Sequence, residues 1–104
     1  MTEELKSSRA ELWAKALEEN DGKEARGQFQ KGSLRCCLRV AADVAIEELG
    51  VKSKDGIASQ FVADFYGWES CNPLLGSVPA TYHNDDEKAP HKDIAKLVRK
   101  EFCK

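Results

Sequence analysis

The sequence lacks most of the patterns that mark specialised protein classes. Its 104 residues include only one Met, two His and three Pro, and no apolar run approaches the ~20 residues that a membrane-spanning helix needs. The first residues, Met1–Leu5, are acidic and have none of the apolar core of a secretory signal. We therefore expect a cytoplasmic protein that does not contact membranes.

The short motifs that position common catalytic groups are also missing. There is no Gly-x-Ser-x-Gly, phosphate-binding P-loop, dinucleotide fingerprint or His-Glu-x-x-His. The acidic run Asp85–Glu87 does not alternate oxygen donors in the way a calcium loop does. We therefore predict that the protein is not an enzyme and uses no cofactor.

The four cysteines do not have the spacing of a zinc site, and in a reducing cytoplasm free thiols are expected. They are Cys36, Cys37, Cys71 and Cys103. A mixed site that joins Cys36 or Cys37 to Cys71, His83 and His91 is an open alternative, but nothing in the spacing favours it. We predict no metal.

Cys36 and Cys37 lie close to two arginines, Arg35 and Arg39, and positive charge lowers the pKa of a thiol. A thiol nucleophile at this point is therefore a second alternative. The favoured interpretation is structural. Cys37 is predicted to be a small buried side chain, and Cys36 the more accessible of the pair.

Apolar spacing predicts a mainly α, compact bundle of about four helices in one domain, residues 1–104. A glycine-containing irregular loop or short hairpin, residues 22–33, follows the first helix. The first helix is predicted to begin at a Ser8–Glu11 capping box, and the second is expected to be the central one. The predicted helices are 8–20, 34–49, 57–66 and 90–102, with an irregular loop over 68–80 and a brief strand over 81–83.

The net charge of −2 argues against a general nucleic-acid binder, but the charge is unevenly distributed. Residues 22–39 carry +4 and residues 96–104 carry +3. The cations of these two basic islands are Lys23, Arg26, Lys31, Arg35 and Arg39, and then Lys96, Arg99, Lys100 and Lys104. If folding joins the islands they form a cationic patch; otherwise each is a solvated face balanced by acidic neighbours.

Three segments together resemble a family of small uncharacterised proteins encoded by bacteriophages and prophages. They are Trp13-x-x-Ala16-Leu17, Arg26-Gly27-Gln28-Phe29 and Cys36-Cys37-Leu38-x-Val40. Near the C-terminus, Tyr82–Asp85 and Asp93–Val98 look like the family's last two elements. The most specific feature is the Cys-Cys-Leu segment, which opens a helix within ten residues of the Gly-Gln loop.

The resemblance implies a phage origin and a compact fold, but no activity. The family usually has Gly after Cys-Cys-Leu, where this chain has Arg39. If the glycine of the family lets a ligand or another helix come close to the backbone, the arginine in this chain changes that approach.

The leading hypothesis is a non-enzymatic phage accessory protein, in the host cytoplasm, that binds a host or defence-system component. The partner is a protein or a small anionic ligand such as a nucleotide. The predicted contact residues lie where the glycine loop meets the second helix: Arg26, Gln28, Arg35 and Arg39. The alternative is a small nucleic-acid-binding regulator, although the third predicted helix has no basic residue with which to read DNA.

Overall fold

The computed structural model describes residues 2–25, 30–31, 34–50, 60–70 and 72–103. This part of the chain is mainly helical, as predicted, and a short hairpin does follow the first helix. Its elements are α1 (Glu3–Glu19), β1 (Gln30–Lys31), β2 (Leu34–Arg35), α2 (Cys37–Leu49), α3 (Gln60–Tyr66), β3 (Leu74–Leu75), β4 (Val78–Pro79), a π-helical segment (Tyr82–Asp86) and α4 (His91–Phe102).

Helix α1 has Thr2 as its N-cap residue, and not the predicted Ser8. The Thr2 hydroxyl accepts a hydrogen bond from the Leu5 N–H at 3.1 Å, which caps the helix. Glu3 and Glu4 occupy the first turn, where carboxylates interact favourably with the helix dipole. The capping-box prediction was wrong because Thr2 supplies an N-cap hydroxyl six residues earlier, followed by two first-turn glutamates, although Leu5 stands where a capping box would have its carboxylate.

The second helix begins at Cys37, because Leu34 and Arg35 form strand β2 instead of a first helical turn. Strand β2 pairs antiparallel with β1, with Lys31 opposite Leu34. The Arg35 N–H also donates to the Lys23 carbonyl, and the Arg35 carbonyl accepts from the Ala25 N–H, both at 3.0 Å. Backbone pairing on both sides therefore overrides the helical spacing at these two positions.

Two helix ends follow the sequence prediction. Gly50 ends α2 with a φ of 65°, a left-handed conformation that glycine adopts without steric cost. Helix α3 ends at Tyr66, directly before Gly67 as predicted, and its predicted start at Ile57 lies outside the described residues.

The segment before α4 was predicted less well. Leu74–Pro79 forms an antiparallel hairpin, with Gly76 in its turn at a φ of 73°. The brief strand predicted over 81–83 was wrong, since Tyr82–Asp86 is π-helical. Helix α4 begins one residue after Pro90, close to the predicted start.

Helix α1, not α2, occupies the centre of the packing. It packs against α2, α3 and, most extensively, α4. Its fully buried Trp13 lies against the Trp68 and Tyr66 rings, with centroids 5.1 and 5.7 Å away. The Trp13 indole N–H donates to the Cys37 carbonyl at 3.0 Å, and the Tyr66 hydroxyl donates to the Ala41 carbonyl at 2.7 Å. The prediction that the second helix is central is therefore corrected.

The Cα radius of gyration is 12.3 Å, as expected for a compact chain of this length. Among the described residues, no helix combines the length and apolar character that crossing a membrane requires.

Candidate binding site

The structure brings two of the predicted contact residues together around a carboxylate. Arg35 lies in β2, whereas Arg39 lies in the first turn of α2. The prediction that both arginines stand on the second helix is therefore wrong. Arg35 Nη1 lies 3.1 Å from one Asp43 carboxylate oxygen, and Arg39 Nε lies 3.2 Å from the other. The other two predicted contacts, Arg26 and Gln28, lie outside the described residues.

This ion-pair cluster adjoins a groove between α1 and α2. Two depressions of about 230 and 240 Å³ share four lining residues and so form one continuous feature, the α1–α2 groove. Its apolar lining residues are Leu12, Ala16, Val40 and Val44. The carboxylates that line it are Glu19, Asp43, Glu47 and Glu48.

The groove has an excess of negative charge. Lys15 and Arg35 are the two cations among its lining residues, against four carboxylates. Arg35 and Arg39 already share the charge of Asp43. Because like charges repel, the groove disfavours a phosphate-bearing ligand and favours a cationic one.

A buried polar cluster fixes the junction between β2 and α2. The Asn84 side-chain oxygen accepts from the Cys37 N–H at 3.2 Å, and the Asn84 amide donates to the Ala25 carbonyl at 2.7 Å. The same oxygen lies 3.2 Å from His91 Nε2. Because it is an acceptor, His91 Nε2 must carry the proton, so Nδ1 accepts from Asn20 Nδ2 at 3.0 Å.

The sequence interpretation missed this cluster. One signal for it was present: His91 stands three, four and seven positions before Ile94, Ala95 and Val98, which places it on the buried face of α4. Asn84 has no comparable signal, because it stands in a polar stretch.

The thiols near the groove are buried and poorly suited to nucleophilic chemistry. Cys37 is 0% exposed and Cys36 is 5% exposed, which is the predicted order, but both are in the core. Burial raises the pKa of the Cys36 and Cys37 thiols. Since the thiolate is the reactive form, this environment disfavours the nucleophile alternative.

The two histidines lie in different surroundings. His83 contacts the Glu87 carboxylate and the Leu75 carbonyl, at 2.5 and 3.2 Å, whereas His91 belongs to the buried polar cluster. Within the described part of the chain, no three His, Cys, Asp or Glu side chains are placed to hold a metal ion. Cys71, a member of the mixed metal site considered above, lies outside that part.

The described arginines of the two basic islands are each paired with their own carboxylates. In the second island, Arg99 contacts Glu11 and Glu18 of α1, with closest distances of 2.8 Å. In the first, Arg35 and Arg39 contact Asp43. These pairings balance the arginines only, because Lys96 and Lys100 of the second island take part in none of the ion pairs among the described residues.

Comparison of the chain with protein-family models, curated proteins and solved structures finds no match.

Proposed function

We propose that this protein is a non-enzymatic phage accessory protein that binds a host or defence-system protein through the α1–α2 groove. The observation that carries the proposal is the combination of apolar lining residues with four carboxylates in one continuous groove. A groove between two helices suits an amphipathic segment of a partner. The partner segment carries apolar side chains flanked by Lys or Arg.

The charge of the groove supports a protein partner over a nucleotide. A nucleotide would bring phosphate charge close to Glu19 and Glu47, and it would have to compete with Asp43 for Arg35. A basic segment gains attraction from the same carboxylates, and its apolar residues gain from leaving water.

The arginines have a secondary role in this proposal. The Arg35 side chain is 33% exposed and that of Arg39 is 15% exposed, so Arg35 offers an accessible guanidinium at the end of the groove. It provides a contact for one acidic group of the partner. Arg26 and Gln28, from the preceding loop, stay predicted contacts.

The proposal can be tested with two synthetic helical peptides. One has Leu on one face and Lys on the other, and the second has Glu in place of Lys. We expect the lysine peptide to bind and the glutamate peptide and a nucleoside triphosphate not to bind, as measured by calorimetry and amide shift mapping. A double Glu19→Gln, Glu47→Gln variant should weaken binding by about tenfold or more, equal to about 1.4 kcal/mol.

The matched control removes two exposed carboxylates outside the groove, Glu69→Gln with Asp86→Asn, and should leave the affinity unchanged. Equal weakening by both double variants would show a general charge effect and would contradict the groove. Nucleotide binding that disappears in the Arg35→Ala, Arg39→Ala variant would instead support the small-ligand alternative.

A further inference from the structure

Three lysines form a ridge along the solvent-facing side of α4. Lys92, Lys96 and Lys100 are all exposed and are spaced four residues apart. Four helical residues rise by about 6 Å, so their Cα atoms follow one side of the helix at that interval. The opposite side of α4 is buried in the core through Ile94, Ala95 and Val98. We call Lys92, Lys96 and Lys100 together the lysine ridge.

The ridge keeps its charge available. Among the described residues, the ion pairs of α4 involve Arg99, and the three lysines take part in none of them. Three carboxylates lie near the ridge: Asp93 beside Lys92, Asp21, which accepts from the Lys92 N–H at 3.2 Å, and Glu101, which accepts from the Gly76 N–H at 3.3 Å. None of them forms an ion pair with a lysine of the ridge among the described residues.

We infer that the lysine ridge binds the phosphodiester backbone of a nucleic acid without regard to sequence. A regular row of ammonium groups fits a regular row of phosphates, because each contact is a point charge that needs no fixed orientation. Base recognition is not expected, since Arg99, the arginine of this helix, is held by Glu11 and Glu18.

The same face does not suit a membrane surface. A helix that lies in the lipid interface inserts an apolar face beside its basic one. In α4 the apolar face packs against the core, where Ile94, Ala95 and Val98 are 0% exposed and Leu97 and Phe102 are half-buried.

The inference is independent of the proposed groove, which is lined by α1, β2 and α2 and is negatively charged. Loss of peptide binding in the groove variants would leave the ridge untouched. Because the whole chain carries a net charge of −2, we expect weak binding, in the range of non-specific complexes, about 10⁻⁴ to 10⁻⁶ M.

The test uses the full chain and a fluorescent duplex oligonucleotide of arbitrary sequence, with anisotropy measured between about 50 and 200 mM salt. Three neutralised phosphates predict a slope of log K against log salt of about −3. A Lys92→Gln, Lys96→Gln, Lys100→Gln variant should bind at least about tenfold more weakly at the lowest salt, with a slope near zero. Each single variant should reduce the slope by about 1.

The matched control is Lys6→Gln, Lys15→Gln, Lys23→Gln, which changes the net charge equally and leaves α4 intact. It should retain most of the salt slope. Equal loss in both triple variants, or unchanged binding in the ridge variant, would overturn the inference. So would tighter binding to vesicles of anionic lipid than to the oligonucleotide, since that result would assign the ridge to a membrane.

Discussion

The side chains of His91 and Asn84 form a fully buried contact between α4 and the π-helical segment, with His91 Nε2 3.2 Å from the Asn84 oxygen. The Asn84 side chain also accepts a hydrogen bond from the Cys37 N–H and donates one to the Ala25 carbonyl. One amide therefore joins four separate parts of the chain. A buried polar group without a hydrogen-bond partner lowers the stability of the folded state. The packing of the Ala25 loop, the start of α2 and the start of α4 therefore depends on Asn84.

We predict that Asn84→Ala destabilises the protein by about 2–4 kcal/mol. The substitution leaves the Cys37 N–H and the Ala25 carbonyl without this partner inside the core. Urea unfolding followed by circular dichroism measures the loss. Asp86→Ala is the control, because Asp86 is exposed two residues further along and its removal should change stability by less than about 0.5 kcal/mol. A similar small change for Asn84→Ala would show that the cluster is energetically unimportant.

The parts of the fold that the sequence predicted well are those set by one local signal. Gly50, Gly67 and Pro90 each end or begin a helix where the pattern placed them. The start of α2 was not predictable in this way. The apolar spacing of α2 extends back to Leu34, but Leu34 and Arg35 form β2, which pairs with β1 and with residues 23–25. Helical periodicity describes one segment only and does not predict pairing with another.

The candidate site was predictable only in part. The prediction placed the side chains of Arg35 and Arg39 together because it assigned both to one helix. They do lie together, but because both contact Asp43, since Arg35 is in β2. The groove depends on how α1 and α2 cross. The Trp13 indole N–H donates to the carbonyl of Cys37, the first residue of α2, and this contact helps to set how the two helices cross. The sequence of the groove residues contains no pattern that would predict the contact.

The central position of α1 predicts that its core residues matter more than those of α2. Leu17 is 0% exposed and Leu38 is 8% exposed. Leu17→Ala should therefore lie toward the upper end of the about 2–5 kcal/mol that such substitutions cost, and Leu38→Ala toward the lower end. Denaturant midpoints of the two variants give the comparison. A larger loss of unfolding free energy for Leu38→Ala than for Leu17→Ala would indicate that α2, and not α1, is the central helix.

The contact of Arg99 with Glu11 and Glu18 predicts a pH-dependent part of the stability. Hydrogen bonds from Arg99 lower the pKa of both glutamates in the folded protein. A carboxylate with a lowered folded pKa contributes stability above its unfolded pKa, and this contribution disappears as the pH falls through the folded value. Arg99→Gln should therefore reduce the free energy of unfolding at pH 7 and have almost no effect once both glutamates are protonated.

Unfolding measured from neutral pH down to about pH 2 separates these cases, because the folded pKa values of both glutamates lie below the ordinary glutamate value of about 4.3. The effect should shrink in high salt, since both carboxylates are exposed. Lys100→Gln is the control on the same helix, and it should show no comparable pH dependence. An Arg99→Gln effect of equal size at both pH values would indicate lost packing of the arginine side chain instead of lost charge.

The cysteines should differ in reactivity by position. Cys103 is half-buried and its thiol lies 3.5 Å from the Ser7 carbonyl, whereas Cys36 and Cys37 are buried in the core. Burial raises the pKa of all three thiols, so each reacts slowly at neutral pH and faster as the pH rises. In a Cys71→Ser background we expect iodoacetamide to modify Cys103 first. Cys36 and Cys37 should be protected until the protein unfolds.

Peptide mass spectrometry over a time course measures the order of modification. Adding Cys103→Ser should remove the early reaction and leave the slow one unchanged. Modification of Cys36 as fast as that of Cys103 in folded protein would contradict the packing at the start of α2. Because Cys36 is the N-cap residue of α2 and follows Arg35 directly, the same result would also indicate local opening beside the end of the groove that Arg35 lines.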